Sequence, residues 1–234
     1  NPKPLSRNAG GFFHLRKAHM AYTVSTGTRF AISTQLGMAI PVTAITNAAP
    51  GVITAAGHGI AQGSPFLLRS GWEDLNDSVL QAGTVATNSI TLIDEDTSDQ
   101  IAYPNGSSAG TLQAITGWTE LQQVTEINPS GGEQQYAEIS PLSQRYGIKI
   151  PTTRSAMSWE LTFGWDNKLP GYKAALSASR ANRMVVIRMA LPNGGAVSYG
   201  YGYITVSESP KVGSNAITTG SLTLAMQRPL RTYE

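Results

Sequence analysis

The residues that could do chemistry are three histidines, a short acidic run and a tyrosine-rich strand. His14, His19 and His58 could serve as general bases only beside an oriented partner. His58 lies in Ala56-Gly57-His58-Gly59-Ile60, where the flanking glycines predict a turn, and no Ser/His/Asp set can be assembled around it. A structural role is therefore expected. Asp94, Asp96 and Asp99 could offer oxygen ligands to a hard cation, but the Gly and distal Glu of a calcium loop are missing at the required offsets. Gly131-Gly132 and Gly194-Gly195 lack the parallel βαβ setting of a phosphate loop. In Tyr199-Gly200-Tyr201-Gly202-Tyr203 the spacing of two places three rings on one strand face, where they could stack on bases or sugars or pack in a core. The absence of Cys excludes disulfide scaffolds, thiol catalysis and Cys-ligated zinc. No catalytic set, cofactor or metal site emerges, so the chain is not expected to be an enzyme.

The elements that would carry these residues are almost all strands. Among 234 residues, 24 are Gly and 13 are Pro, and only 14% are charged, against roughly 25% in an ordinary soluble domain. That composition suits many short strands and turns. No Lys, Arg, Asp or Glu lies between Arg29 and Arg69, but Thr, Ser, Gln, Asn, Gly and Pro interrupt the stretch too often for a spanning helix. No secretory signal is visible. Residues 28–33 read as a strand, followed by a Gly-containing run to Val42. Val52–Thr54, Pro65–Leu68, Ser78–Leu80, Thr84-Val85 and Ser89–Leu92 are short β-prone runs, separated by Gly, Asn and Asp turns in the manner of a small sandwich or barrel. A second pattern comprises Trp118–Leu121, Val124–Ile127, Ser158–Phe163, Val185–Ala190, Ser198–Val206 and Ser221–Met226. One helix is predicted, starting at Leu169-Pro170-Gly171 and ending at Ala181, with Tyr172, Ala175, Leu176 and Ser179 on one face. Asn193-Gly194 predicts a hairpin turn. The polar stretch 133–154 reads as either a long loop or a long edge hairpin.

Charge separates the chain into blocks: +4 over residues 1–19, −6 over 43–115, and +4 over the rest. Such jumps suggest separate units. The expected organisation is a main domain at 20–42 and 116–234, interrupted by an inserted β-module at 43–115. Residues 1–19 precede Met20-Ala21-Tyr22-Thr23-Val24, which reads as an ordinary translation start. They are an expression leader, an upstream extension, or a basic arm docking on a neighbour.

The order of parts in 20–42 and 116–234 resembles the major tail tube protein family of long, non-contractile-tailed (siphovirus-type) bacteriophages. The resemblance rests on Trp118-Thr119-Glu120-Leu121 with Val124–Gly131, the polar segment Glu133–Ser140, Ser158–Phe163, the helix, Met189–Gly195, and Gly202–Ser207 through Leu222–Leu224, over about 140 residues. Residues 43–115 separately resemble a small β-module that recurs in phage virion proteins, through Ala44-Ile45-Thr46, Gly51–Thr54, Gly57–Ile60, Gly63, Leu75-Asn76, Thr84-Val85, Ser89–Leu92 and Asp96-Thr97-Ser98. The module usually shows Asp after the glycine at 63, where this chain has Ser64.

The resemblance implies an all-β, tail-tube-type β-sandwich or barrel with one short helix and a long loop, interrupted by a small inserted β-domain. It implies a structural virion protein, assembled in the host cytoplasm as stacked homo-hexameric rings of a tail tube. A tape measure protein and transiently passing DNA would occupy the lumen, with tail terminator and tail tip proteins at the ends and no membrane binding by the chain itself. The alternating strands would turn Ser, Thr, Gln and Glu toward the lumen, where multiple Lys or Arg contacts would retain DNA. The stretch 128–154 is too long for a passive connection and is expected to carry contacts between copies through Glu133, Gln134, Gln135, Tyr136, Glu138 and Arg145. Deleting 132–146 should then leave a folded monomer that does not polymerise. The inserted module is expected to face outward, with its ends close together, so that replacing 44–115 by a Gly/Ser turn leaves assembly intact. Two other classes compete. A tail tip or decoration protein would bind a host-surface glycan with Trp72 and Tyr103 as stacking residues; a cell-wall hydrolase would need the catalytic set that is missing.

Overall fold

The computed structural model describes residues 25–143, 145–192 and 194–234. The leader 1–19, the start at Met20 and the turn residue Asn193 lie outside the described residues. The strands are β1 (Arg29–Ser33), β2 (Gln35–Leu36), β3 (Ile40–Val42), β4 (Ala44–Ile45), β5 (Val52–Thr54), β6 (Pro65–Ser70), β7 (Ser78–Ala86), β8 (Ser89–Leu92) and β9 (Gly110–Thr116). They continue as β10 (Thr119–Leu121), β11 (Val124–Ser130), β12 (Gln134–Ile139), β13 (Ile148–Arg154) and β14 (Ser158–Gly164). After the helix α1 (Pro170–Arg180) come β15 (Met184–Ala190), β16 (Val197–Val206), β17 (Thr219–Met226) and β18 (Arg231–Tyr233).

The sheet of the first half runs β9-β6-β7-β8-β5-β4, with β3 also beside β9. Only Thr43 separates β3 from β4, so the two act as one strand whose first half pairs β9 and whose second half pairs β5. The sheet thus closes into a barrel with no free edge to template aggregation. Its alternation is strict where it matters: Phe66 and Leu68 point inward onto Trp72, Leu75, Leu80, Ile90 and Leu112, while Leu67 between them points out. The barrel begins earlier than the charge pattern suggests, because β2 and β3 pair with β9 and not with the flanking unit. The chain enters and leaves it side by side: Gln35 is in register with Thr116, and the Ser33 hydroxyl donates to the Thr116 carbonyl.

The second unit is one antiparallel sheet in the order β10-β1-β15-β16-β17-β14-β11, with β18 beside the start of β16. Leu121 ends β10 at one edge and Val124 begins β11 at the other, so the two edges lie within roughly 11 Å of each other at that corner. The sheet must therefore curl, and its inner face closes on itself as a sandwich. Phe30 and Ile32 from one wall meet Trp159, Leu161 and Phe163 from the other in a single core with Ile204, Leu222 and Leu224. The helix seals this core with Tyr172, Ala175 and Ala178, and the Ser179 hydroxyl accepts the Val206 N–H at 3.2 Å. Gly171 is required in its first turn, since a Cβ there would lie 2.3 Å from the Glu120 carbonyl oxygen. The described residues are mostly β with one α-helix, as the alternating pattern predicts.

The barrel does not hang free. Leu67, Val79 and Ile115 on its outside pack onto Val186 of β15, Tyr199 and Tyr201 of β16 and Tyr233 of β18, on the outer face of the sheet. The segment around β18 adds polar ties. Arg231 pairs with Glu95 at 3.0 Å and donates to the Asp74 carbonyl at 3.2 Å, while Arg228 donates to the Asn76 carbonyl and reaches Glu73 at 3.6 Å. Arg69 of the barrel donates to the Tyr201 hydroxyl at 3.2 Å. Part of the module's acidity is therefore matched within the chain by arginines of the second unit. Burial pushes the Glu95 carboxyl above its usual range, and Arg231 pulls it back. Arg231→Glu would set two acids together where Glu95 is nearly inaccessible. It is expected to cost about 2–4 kcal/mol, read as a lowered midpoint in thermal denaturation. An unchanged midpoint would show that the tie contributes nothing to docking.

Candidate functional site

The residues singled out for chemistry take structural places. His58 is buried, with Nδ1 accepting the Ile60 N–H at 3.1 Å and Nε2 donating to the Ala86 carbonyl at 2.9 Å. Both ring nitrogens are used in pinning a turn, and none remains for proton transfer. Asp96 accepts the Ser98 N–H and Asp99 the Ile101 N–H, each at 2.9 Å, so these carboxylates close their own turns. Among the described residues no His, Asp or Glu group is placed to hold a metal ion. Trp72 and Tyr103 correct the glycan expectation. They meet edge to face at 5.1 Å inside the barrel, and Trp72 Nε1 donates to the Pro104 carbonyl at 2.8 Å. Neither offers a face to a sugar. Of the three tyrosines on β16, Tyr199 and Tyr201 lie under the barrel and only Tyr203 is exposed.

Two surfaces remain unexplained by the chain's own packing. The first is the outer face of the wall β16-β17-β14-β11. Core residues alternate along it with Thr205 on β16, Ser221 and Thr223 on β17, Ser158, Glu160 and Thr162 on β14, and Glu126 and Asn128 on β11. The register aligns them into rows such as Asn128–Glu160–Thr223–Thr205. This wall carries hydroxyls, amides and carboxylates, and no Lys or Arg occurs in β11, β14, β17 or the second half of β16. The curl of the sheet puts it on the side of the sandwich away from the barrel.

The second surface is an arm. Of the two readings of 133–154, loop or edge hairpin, the structure has the hairpin, β12–β13, continuing the β11–β14 pair past Gly131 and Gly132. Both glycines have φ near +82°, and a Cβ on Gly131 would lie 1.9 Å from the Ala156 carbonyl oxygen, so the kink at the root depends on glycine. The root is tied by Gly132 N–H to the Ser155 carbonyl at 3.1 Å and Ser155 N–H to the Glu133 carbonyl at 2.9 Å. The six residues of β12 and seven of β13 carry the arm roughly 20 Å beyond the sandwich. Among the described residues β12 and β13 pack extensively only on each other.

The six residues expected at an interface all lie on this arm. Glu133 and Gln134 stand at the root, where Gln134 Nε2 bonds the Gln135 and Thr153 carbonyls. Tyr136 faces Pro151 and Glu138 faces Lys149 across the ladder, Gln135 accepts the Thr152 hydroxyl on its carbonyl, and Arg145 is exposed near the tip. The sequence reading passed over the other face. There Ala137 is in register with Ile150 and Ile139 with Ile148, forming an apolar row that the described residues leave half exposed, and Leu142 and Tyr146 are exposed at the tip. The alternation Ile148-Lys149-Ile150 was the available signal. The exposed Ile139, Leu142, Tyr146, Ile148 and Ile150 present on the order of 700 Å², close to one partner's share of a standard interface and more than a monomer ordinarily leaves bare.

Comparison with known proteins adds the following. A family model described as "Phage tail tube protein, TTP" matches residues 70–234, spanning the second part of the barrel and nearly the whole sandwich. No curated protein matches the chain. Among solved structures, a chain from "Tail of empty GTA particle computed with helical refinement, C6 symmetry" is similar at 10% identity and a TM-score of 0.39, over 51% of this chain and 88% of that chain.

Proposed function

This chain belongs to the phage tail tube protein family, and on that premise we propose that it forms stacked homo-hexameric rings around a lumen that conducts DNA to the host. The family is structural and not enzymatic, and its place is the phage tail. The observation that carries the proposal is the polar wall. A surface that must let a polyanion pass cannot hold rows of cations, because each Lys or Arg contact with phosphate adds to retention. Glu126 and Glu160 among Thr and Ser side chains meet that condition. In the ring, the outer edge of β11 takes the next copy's strand edge, so that the inward walls join into one closed barrel without free edges. The inserted barrel, on the opposite wall, then faces outward.

The arm supplies contacts between copies, with Glu133, Gln134, Gln135, Tyr136, Glu138 and Arg145 on it. A heterologous ring closes on itself, while stacking along the axis stays open-ended until a tail terminator, a tail tip or the tape measure protein sets its length. Assembly takes place in the host cytoplasm, in a siphovirus-type tail. Negative-stain microscopy with light scattering tests this directly: the purified protein should give six-fold rings or open-ended tubes as concentration rises. Monodisperse monomer at high concentration, across several salt and pH conditions, would sink the proposal.

A further inference from the structure

Exposed apolar side chains are concentrated at two ends of the sandwich. One set is the arm, at the end where β14 begins. The other is the loop between β16 and β17, at the end where β14 finishes: Gly164 is in register with Thr219, and Trp165 N–H bonds the Thr218 carbonyl at 2.9 Å. In this loop Val212 is 74% and Ile217 81% exposed. The loop is preformed, because Lys211 and Thr219 exchange N–H···O bonds of 2.8 and 3.2 Å at its neck. Seven residues of β14 separate the two ends by roughly 23 Å.

We propose that the apolar face of the arm, Ala137, Ile139, Ile148 and Ile150, docks on the Val212–Ile217 loop of a second copy, head to tail. The inference rests on the tube reading and names the receiving surface for the arm. Burying both patches in one contact removes two bare apolar surfaces of the described residues, and a head-to-tail contact repeats without closing, as stacking requires.

The test uses the full chain. Val212→Ser/Ile217→Ser changes only exposed positions, so the monomer should keep its circular dichroism and melting point. The concentration needed for tubes should rise about tenfold or more, leaving single rings below it. Tubes at the wild-type concentration would overturn the inference while leaving the tube reading intact; a wild-type protein that never assembles would overturn the reading itself. Because the chain has no Cys, Ile150→Cys with Ile217→Cys gives an independent readout. On oxidation the double variant should yield a ladder of linked copies. Linked dimers from Ile150→Cys alone, without a ladder from the pair, would show arm meeting arm and would also overturn it.

Discussion

Excision of residues 133–154, joining Gly132 to Ser155, is expected to yield a folded monomer that forms no tubes at any accessible concentration. The arm contributes no side chain to the sandwich core, and β11 and β14 stay in register from Val124–Phe163 to Ser130–Ser158 without it. The five residues left between Ser130 and Ser158 make an ordinary hairpin connection. Stability should change by about 1 kcal/mol or less, since a shorter loop costs less closure entropy. Deleting only 132–146 is a poorer experiment than the sequence suggests, because it strands β13 without its partner. Circular dichroism and thermal melts check the fold, and microscopy checks assembly. Tubes of normal length from the excised chain would remove the arm from the assembly interface.

Excision of the barrel is expected to act the other way, on the fold first. Replacing 44–115 by a Gly/Ser turn leaves β2 and β3 without β9 and uncovers Val186, Tyr199, Tyr201 and Tyr233. Exposing four such side chains costs on the order of 5 kcal/mol or more, a large part of what a domain has. The plain excision should therefore aggregate or melt far below the intact chain. A cleaner variant joins Thr34 to Gly117 and carries Val186→Thr, Tyr199→Thr and Tyr201→Thr, restoring a polar outer wall with good strand formers. That variant should fold and give tubes that lack external knobs. A folded variant that does not assemble would mean that the barrel belongs to the ring's own interface. A plain excision that melts like the intact chain would show that docking on the wall is incidental.

Much of the architecture was legible in short windows. The alternation in Ser158-Trp159-Glu160-Leu161-Thr162-Phe163 separates core from surface without reference to any partner, and the structure buries Trp159, Leu161 and Phe163. The Tyr172–Ala175 spacing after Leu169-Pro170 marks the helix for the same local reason. The charge jumps suggest a unit that starts near Thr43, but they carry no sign that β2 and β3 already pair with β9.

The remainder depended on neighbours far along the chain. Tyr199, Tyr201 and Tyr203 share one face and one spacing, yet the first two are buried by Leu67, Val79 and Ile115, more than 80 residues away in sequence, and the third is not. Trp72 and Tyr103 have the exposed look of a stacking pair until the barrel closes around them. That closure itself turns on β3 and β4 being one strand with a different partner on each half. Ile148 and Ile150 alternate as a core strand would, yet the described residues leave both half exposed. Periodicity is written in the backbone's local geometry, so it can be read from a few residues; which surface meets which depends on contacts between distant segments, or between copies, that no local pattern encodes.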